Sequence, residues 1–247
     1  KDVQKGIEKG LKEKGSIPYQ EVGISDDELS QKYYYQQLED GEKQAYKEIV
    51  QGVKENVEEI YVHASDADRT NMLFQYVLKD FPEIFWCDGM TTSTSYEGSE
   101  AYTVLKTVYL YEAGQKKAMK AKIEASVNEC LASMPAKDTD YQKILYVYEY
   151  IVNTVDYDLE AADNQNIYSV FVNRRSVCAG YSKATQYLLE RLGVFCTYVT
   201  GTTLDGQPCM ESGQMQRYLL LCGHYVGRSR IPGSGRGRGE SAADDQL

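Results

Sequence analysis

Hydrophobic and polar residues follow one another along this chain mostly with the three- and four-residue spacing of amphipathic helices. The clearest case begins at Ser65-Asp66-Ala67-Asp68, a capping sequence, and ends before Pro82, which interrupts a helix. Its apolar residues are Met72, Leu73, Tyr76, Val77 and Phe81. Similar patterns predict a helix from Gly41 to the region of Ile60 and another from Gln115 to Met134.

A further helix is predicted from Asp138 to about Val155. At helical spacing, one of its faces carries Ile144, Leu145, Tyr148, Ile151 and Val152. A polar loop follows at 156–166, and the next helical pattern runs from Cys178 to Leu192.

Two segments have the composition of strands. The segment from Thr91 to Tyr111 is rich in Ser, Thr, Tyr and Val, and predicts two strands around Glu97-Gly98-Ser99. Gly193 suits a helix C-terminus, and the segment from Val194 to Gly201 after it predicts a strand. Helices and a hairpin, followed by a helix that leads into a sheet, indicate an α+β fold.

Composition and charge argue against two classes of protein. The chain has 247 residues and a net charge of −10, which argues against a general nucleic-acid binder because phosphate contacts need a basic face. No apolar run reaches the length of a transmembrane span. The chain is long enough for one large domain or two small ones.

The cysteines and histidines do not predict a metal site. The six cysteines lack zinc-ligand spacing, only two histidines are present, and Cys130 and Cys196 are interpreted as small buried residues. Asp156, Asp158 and Asp163 suggest a calcium loop, but EF-hand spacing is missing and a solvated loop is the favoured alternative. No metal and no cofactor are therefore expected.

Cys178 is the leading candidate for chemistry because it stands where a helix begins. A helix N-terminus has unpaired N–H groups and partial positive charge, and both favour a thiolate over a thiol. Ala179 and Gly180 leave room for a substrate backbone, and the N–H of Cys178 is a candidate donor to an oxyanion. The alternative interpretation is a buried structural cysteine. Asn166 or Tyr168 is a positional candidate for a second oxyanion donor, with packing favoured instead.

The segment Val177-Cys178-Ala179-Gly180-Tyr181-Ser182-Lys183-Ala184 resembles the nucleophile motif of bacterial transglutaminase-like cysteine enzymes. The resemblance continues through Leu192-Gly193-Val194 and Tyr198-Val199-Thr200-Gly201, and upstream through the helix at 138–155 and Asp156-Tyr157-Asp158. It implies a papain- or transglutaminase-like core in which Cys178 is the nucleophile of a Cys-His-Asp triad. The implied reaction is acyl transfer or hydrolysis at a protein or peptide amide, without a cofactor.

The same resemblance bears on location. Asp80-Phe81-Pro82-Glu83-Ile84-Phe85-Trp86 resembles a segment that often precedes this core in exported bacterial members. The charged, glycine-punctuated residues 1–30 are typical of a tether, although a plain disordered end is an equal alternative. We therefore expect an exported protein that is extracellular or at the cell surface, with a lipid anchor as one way in which such a tether is attached.

The pattern of the family breaks after residue 207. A histidine within His-Ala-Trp-Asn or a similar string is expected roughly 30 residues after the cysteine, followed by an aspartate, but the chain reads Pro208-Cys209-Met210-Glu211 and ends in a Gly/Arg-rich tail. His224 is a poor substitute because it lies 46 residues after Cys178, and His63 is interpreted as a surface residue.

Back-translation in the neighbouring reading frame explains the break. When each codon is read one nucleotide later, Met210-Glu211 must give tryptophan and Met215-Gln216 must give cysteine. With permitted codons, the segment from Pro208 begins His-Ala-Trp-Asn-Leu-Val-Lys-Cys and reaches Val-Asp, with the aspartate 15 residues after the histidine. The hypothesis is a frameshift near Gln207-Pro208 that leaves this copy weakly active or inactive.

The sequence thus predicts a flexible N-terminus at 1–30, a helix and hairpin region at 31–134, an incomplete core at 135–207 and an aberrant tail at 208–247. Loss of the family's strands is expected to expose a sheet edge at 195–203. Two rival functions stay open. One is a non-catalytic peptide-binding or scaffold module at the cell surface, and the other is nucleic-acid association through Arg236-Gly237-Arg238-Gly239 in the tail.

Overall fold

The computed structural model describes residues 17–98, 100–136 and 139–200, and the backbone of 219–222. Its α-helices there are α1 (Tyr33–Gln36), α2 (Asp40–Glu55), α3 (Ala67–Asp80), α4 (Ala113–Ala132), α5 (Asp140–Thr154) and α6 (Cys178–Arg191). Its strands are β1 (Ile60–Val62), β2 (Cys87–Tyr96), β3 (Tyr102–Tyr109), β4 (Asp156–Tyr157), β5 (Arg175–Ser176), β6 (Cys196–Val199) and β7 (Leu219–Cys222), and a π-helical turn spans Ser169–Asn173. The predicted α+β class is confirmed.

The N-terminal sheet is built on the predicted hairpin. Strands β2 and β3 pair antiparallel, and β1 joins the other edge of β3 to give the order β1-β3-β2. Strand β1 corrects the expectation that helix α2 reaches the region of Ile60. The helix ends at Glu55 because Asn56 adopts the left-handed conformation, with a φ of 58°, and the chain then re-enters the core as the buried strand Ile60–Val62.

Helix α3 has the cap and the end that the sequence predicts. The Asp66 side chain accepts a hydrogen bond from the Arg69 N–H at 2.9 Å, and the helix ends at Asp80, before Pro82. The buried Asp80 carboxylate accepts from the Tyr34 and Tyr35 N–H groups and from the Tyr46 hydroxyl. Burial raises the pKa of Asp80, although these donors oppose the rise. One carboxylate thereby joins α1, α2 and α3.

Part of the segment predicted as a tether packs on the folded region. Leu29 is buried in the main core, and the Tyr19 ring stacks on His63 with ring centroids 3.5 Å apart. Residues 1–16 lie outside the described part of the chain. The division of the chain into domains stays a prediction.

One hydrophobic core runs through the N-terminal region and the segment that carries Cys178. Phe85 and Trp86 are buried in the same cluster as Phe171 and Leu188. The Trp86 indole donates to the Val53 carbonyl at 3.0 Å, which satisfies its polar atom inside the core. The two regions therefore support each other by packing.

Helix α5 differs from its prediction in how its apolar face is used. Ile151 is buried and Ile144 is half-buried, as a face against the core requires. Leu145, Tyr148 and Val152 are instead 41%, 61% and 51% exposed. The broad apolar face of the sequence is thus divided between the core and the surface, because the core covers only the side centred on Val147 and Ile151.

The strand after α6 is paired. Strand β6 forms an antiparallel ladder with β7, with Cys196 opposite Cys222 and Val199 opposite Leu219. The expected exposed edge at 195–203 is corrected for residues 196–199, because the apolar run Leu219–Cys222 of the tail forms a strand that pairs with them. Residues 201–203 lie outside the described part of the chain. Cys130 and Cys196 are buried as predicted. Among the described helices, none has both the length and the apolar character to cross a membrane.

Candidate active site

Cys178 is the first residue of α6 and is half-buried. The preceding residue, Val177, is extended, and its side chain does not cap the helix. The N–H groups of the first turn therefore keep their partial positive charge beside the thiol. This confirms the predicted location of the cysteine at a helix start.

Gly180 allows α6 to approach the preceding loop very closely. A Cβ atom at this position would lie 2.0 Å from the Ser176 Oγ, 2.9 Å from the Asn164 carbonyl oxygen and 3.1 Å from that of Asn166. Real Cβ atoms do not tolerate such distances, so only glycine fits. The absence of a side chain here fixes where the helix, and hence Cys178, begins.

The loop against Gly180 is held by two buried serines. The Ser169 and Ser176 hydroxyl oxygens are 2.6 Å apart, and both side chains are fully buried. The Ser176 hydroxyl lies 2.9 Å from the Asn164 carbonyl oxygen, and the Ser169 hydroxyl lies 2.8 Å from the Asn166 carbonyl oxygen. Each hydroxyl has one proton, so one serine donates to its carbonyl and accepts from the other serine. These bonds keep the loop rigid beneath the helix start.

A short parallel ladder brings a tyrosine to Cys178. Strands β4 and β5 pair with Tyr157 opposite Ser176, and the Asp158 N–H donates to the Ser176 carbonyl at 2.9 Å. The Tyr157 side chain thereby lies close enough to Cys178 for the two to interact electrostatically. Partial burial, and next the neighbouring Cys178, raise the pKa of Tyr157, so its phenol is protonated at neutral pH. Cys178 therefore has a hydroxyl neighbour in addition to the helix terminus.

A second tyrosine holds this arrangement from the helix side. The Tyr181 hydroxyl donates to the Val155 carbonyl, at the end of α5, and its ring centroid is 6.3 Å from that of Tyr157. Helix α5, strand β4 and helix α6 are thereby joined around the cysteine.

The two candidates for a second oxyanion donor have different surroundings. The Tyr168 ring packs near Phe85, with centroids 6.3 Å apart, as the packing interpretation expects. Asn166 is buried, and its side-chain oxygen accepts from the Tyr168 N–H at 2.8 Å. The amide NH₂ of Asn166 is therefore the end of that side chain that can donate.

A cavity of about 730 Å³ adjoins α6 on another side. The helix contributes Ala179 and Lys183 to its lining, whereas Cys178 is not among the described residues that line it. Burial lowers the pKa of Lys183 to about 8, and the thiol of Cys87 faces the same space. Burial raises the pKa of Cys87 to about 12, so this thiol stays protonated at neutral pH.

The structure does not bring a histidine to Cys178 within the residues it describes. His63 has an exposed side chain, as predicted, and bonds through Nδ1 to the buried Glu48 at 2.5 Å. Its other contacts are with Tyr19 and Glu100. His224 lies outside the described residues.

The three aspartates considered as calcium ligands have separate surroundings. Asp158 pairs with Arg175 at 2.8 Å, and Asp163 accepts a hydrogen bond from the Tyr111 hydroxyl. Asp156 is exposed on β4. In the described ranges, these and other acidic, cysteine and histidine side chains do not form a cluster able to hold a metal.

Sequence reasoning missed Tyr157 and Lys183 as parts of the site region. Tyr157 lies in a polar loop, and only the pairing of β4 with β5 brings it to Cys178. Lys183 lies four residues after Ala179, so the two residues share one side of α6, and this spacing is visible in the sequence.

In a comparison with known proteins, residues 130–228 match the family model of the transglutaminase-like superfamily. A solved structure described as a TGase is similar over 61% of this chain and 46% of its own, with 12% identity and a TM-score of 0.31. The chain thus spans less than half the length of that protein. Curated proteins give no match.

We predict that Gly180→Ala destabilises the fold by about 1 to 3 kcal/mol, because the added methyl group meets Ser176 and the Asn164 carbonyl. Gly41→Ala is the matched control. Gly41 lies in α2 with open space around it, so we expect a gain of about 0.5 to 1 kcal/mol. Urea unfolding followed by circular dichroism measures both changes. A neutral Gly180→Ala variant would contradict the close approach.

We also predict that Tyr157→Phe slows alkylation of Cys178 at pH 7 by about two- to tenfold, because a hydroxyl that donates to a thiolate stabilises it. Tyr148→Phe, on the exposed side of α5, should leave the rate unchanged. The rate of iodoacetamide labelling across pH 5 to 9 checks this. An equal rate in both variants would show that the Tyr157 hydroxyl does not act on the thiol.

Proposed function

We propose that the parent activity of this chain is acyl transfer or hydrolysis at a protein or peptide amide, because residues 130–228 match the family model of the transglutaminase-like superfamily. The observation that carries the proposal is the location of Cys178 at the uncapped start of α6, beside the Tyr157 hydroxyl. A thiol in these surroundings is suited to act as a nucleophile.

The proposed reaction begins with attack of the Cys178 thiolate on the amide carbonyl carbon. The carbonyl oxygen becomes an oxyanion, for which the Cys178 N–H is a donor and the Asn166 NH₂ a candidate second donor. Collapse of this intermediate breaks the C–N bond, releases the amine or ammonia after its protonation, and leaves a thioester. An amine or water then attacks the thioester, which restores the thiol.

This sequence of steps needs a base for the thiol and an acid for the leaving amine. Among the described residues, the contacts of His63 are with Glu48, Tyr19 and Glu100, so it does not supply this group. We therefore propose that the chain as written is weakly active or inactive.

We further propose that a frameshift near Gln207-Pro208 removed the family's histidine and aspartate. The family match extends to residue 228 and so includes the segment in which both are expected. Strand β7 supports the proposal, because its segment reads Tyr-Tyr-(Tyr or Cys)-Val in the other frame and is followed there by the aspartate. Both readings are apolar enough for a strand at this position.

A second candidate function is that of a peptide-binding module without catalysis. The cavity of about 730 Å³ favours it, since residues of both regions line this space while Cys178 does not. For either function we propose a location outside the cell, supported by the resemblance of Asp80-Phe81-Pro82-Glu83-Ile84-Phe85-Trp86 to exported members of the family.

Selective alkylation distinguishes the two functions. We predict that iodoacetamide at pH 6 to 7 labels Cys178 about tenfold faster or more than Cys87, Cys130 and Cys196, because these three are buried or protonated. Peptide mass mapping of the folded chain gives the rate for each cysteine. Slow and equal labelling of all of them would favour the binding module over the enzyme lineage.

Restoring the reading frame tests the impairment. A synthetic gene that encodes the histidine and aspartate string from codon 208 should raise the rate of dansylcadaverine incorporation into casein, or of ammonia release, by about 10² to 10⁴ over the present chain. Cys178→Ser in the restored chain is the control and should abolish the gain. Equal activity of both chains, or an unambiguous in-frame DNA read across codons 203–212 matched by peptide mass, would contradict the frameshift.

A further inference from the structure

An apolar stripe lies on the outer face of α5. It consists of Tyr141, Leu145, Tyr148 and Val152, whose exposed fractions are 72%, 41%, 61% and 51%. Their spacing of four, three and four residues places them within an arc of about 60° over a length of about 16 Å. These side chains form one continuous surface, which we call the α5 stripe.

The α5 stripe is separate from the face that the helix uses for folding. Val147 and Ile151 are buried on that other face, and Tyr146 and Tyr150 flank it with their rings packed against the main core. The stripe thus contributes nothing to the described core, and the described residues leave its side chains exposed to solvent. Contiguous exposed apolar surface of this kind is typical of an interaction site.

The stripe leads toward Cys178. Helix α5 ends at Thr154, and strand β4 follows and carries Tyr157, which pairs opposite Ser176, two residues before Cys178. Tyr157 and Leu159 are themselves 60% and 69% exposed, so apolar surface continues past the end of the helix. A polypeptide lying along the stripe would therefore reach the thiol of Cys178 where it passes the C-terminal end of α5.

Charge around the stripe restricts what can occupy it. Glu149 is exposed about 40° around the helix from Leu145, and Asp156 and Glu160 are exposed at the end nearest Cys178. The described cations around the stripe already have partners: Lys143 donates to the Leu192 carbonyl at 3.1 Å, Arg174 donates to the Tyr150 hydroxyl at 2.9 Å, and Arg175 pairs with Asp158 at 2.8 Å. An occupant with lysine or arginine beside its apolar residues is complementary to this surface.

The same charges disfavour a second copy of the chain as the occupant. Each copy has a net charge of −10, and the stripe of each is bordered by carboxylates. Association through two such faces would bring like charges together in a region of lowered dielectric, which costs free energy. A cationic partner avoids this cost.

We propose that the α5 stripe is the docking surface for the substrate polypeptide, and that this substrate is a segment rich in apolar residues and carrying positive charge. The proposal rests on the proposed function, because it assigns the substrate class of the Cys178 site. The segment lies along α5 and presents its reactive amide beyond Tyr157.

Fluorescence anisotropy of labelled peptides tests the proposal on the full chain. The first probe is a peptide of about 14 residues in which leucines form one helical stripe, the remaining positions are lysines, and one glutamine stands near an end. The second has glutamates in place of the lysines, and the third has the first composition with the leucines dispersed. We expect the first probe to bind more tightly than either of the others.

The double variant Tyr148→Gln, Val152→Gln should weaken binding of the first peptide by about tenfold or more, because two apolar contacts are lost. The matched control is Met90→Gln, Val108→Gln, which changes two exposed apolar residues of the N-terminal hairpin. Its affinity should stay within about twofold of the unmodified chain. Equal effects of the two double variants, or stronger binding of the glutamate peptide, would overturn the proposal.

Two further measurements complete the design. Sedimentation velocity shows whether the unmodified chain forms a dimer that the stripe variant loses, and that outcome would identify a second copy as the occupant and overturn the proposal. Alkylation of Cys178 should proceed at the same rate in the stripe variant as in the unmodified chain. Slow alkylation in the unmodified chain together with stripe-dependent peptide binding would reject the nucleophile and retain the docking surface.

Discussion

The close approach of α6 to the loop at Gly180 is the constraint on which the rest of the site depends. With Ser176 at 2.0 Å from where a Cβ would lie, the helix can begin at only one place relative to the loop. The buried pair Ser169 and Ser176 then fixes the loop carbonyls, and the β4–β5 ladder extends from the same serine. Tyr157 reaches Cys178 only because these parts are held together. A helix terminus alone would supply partial charge, but not a defined neighbour for the thiol.

The regions before and after α4 act as one unit energetically. A shared core joins Phe85 and Trp86 to Phe171 and Leu188, and the Asp80 carboxylate ties three N-terminal helices to one another. The cavity beside Lys183 lies between these regions, where burial lowers the pKa of the amine. Packing and this shared cavity therefore link the N-terminal region to the helix that carries Cys178.

Local patterns in the sequence predicted most elements, because caps, proline stops and apolar spacing act over a few residues. The cap at Asp66 and the hairpin of β2 and β3 are confirmed, as is the position of Cys178 at a helix start. Tyr157 was not predictable, since a two-residue parallel ladder between distant segments leaves no periodic signal. The division of the α5 face was missed for a related reason. Periodicity identifies an apolar face, but only the tertiary structure determines how much of that face the core covers.

The graded environments of the four described thiols have a consequence for redox chemistry. Cys130 and Cys196 are buried, and Cys87 holds its proton because burial raises its pKa to about 12. Oxidation to sulfenic acid or a mixed disulfide requires a thiolate that solvent can reach. Of these four thiols, Cys87 and Cys178 are half-buried, and Cys178 alone lies at the start of a helix. Among the described cysteines, an oxidant in solution would therefore reach the candidate nucleophile before the two buried cysteines of the core.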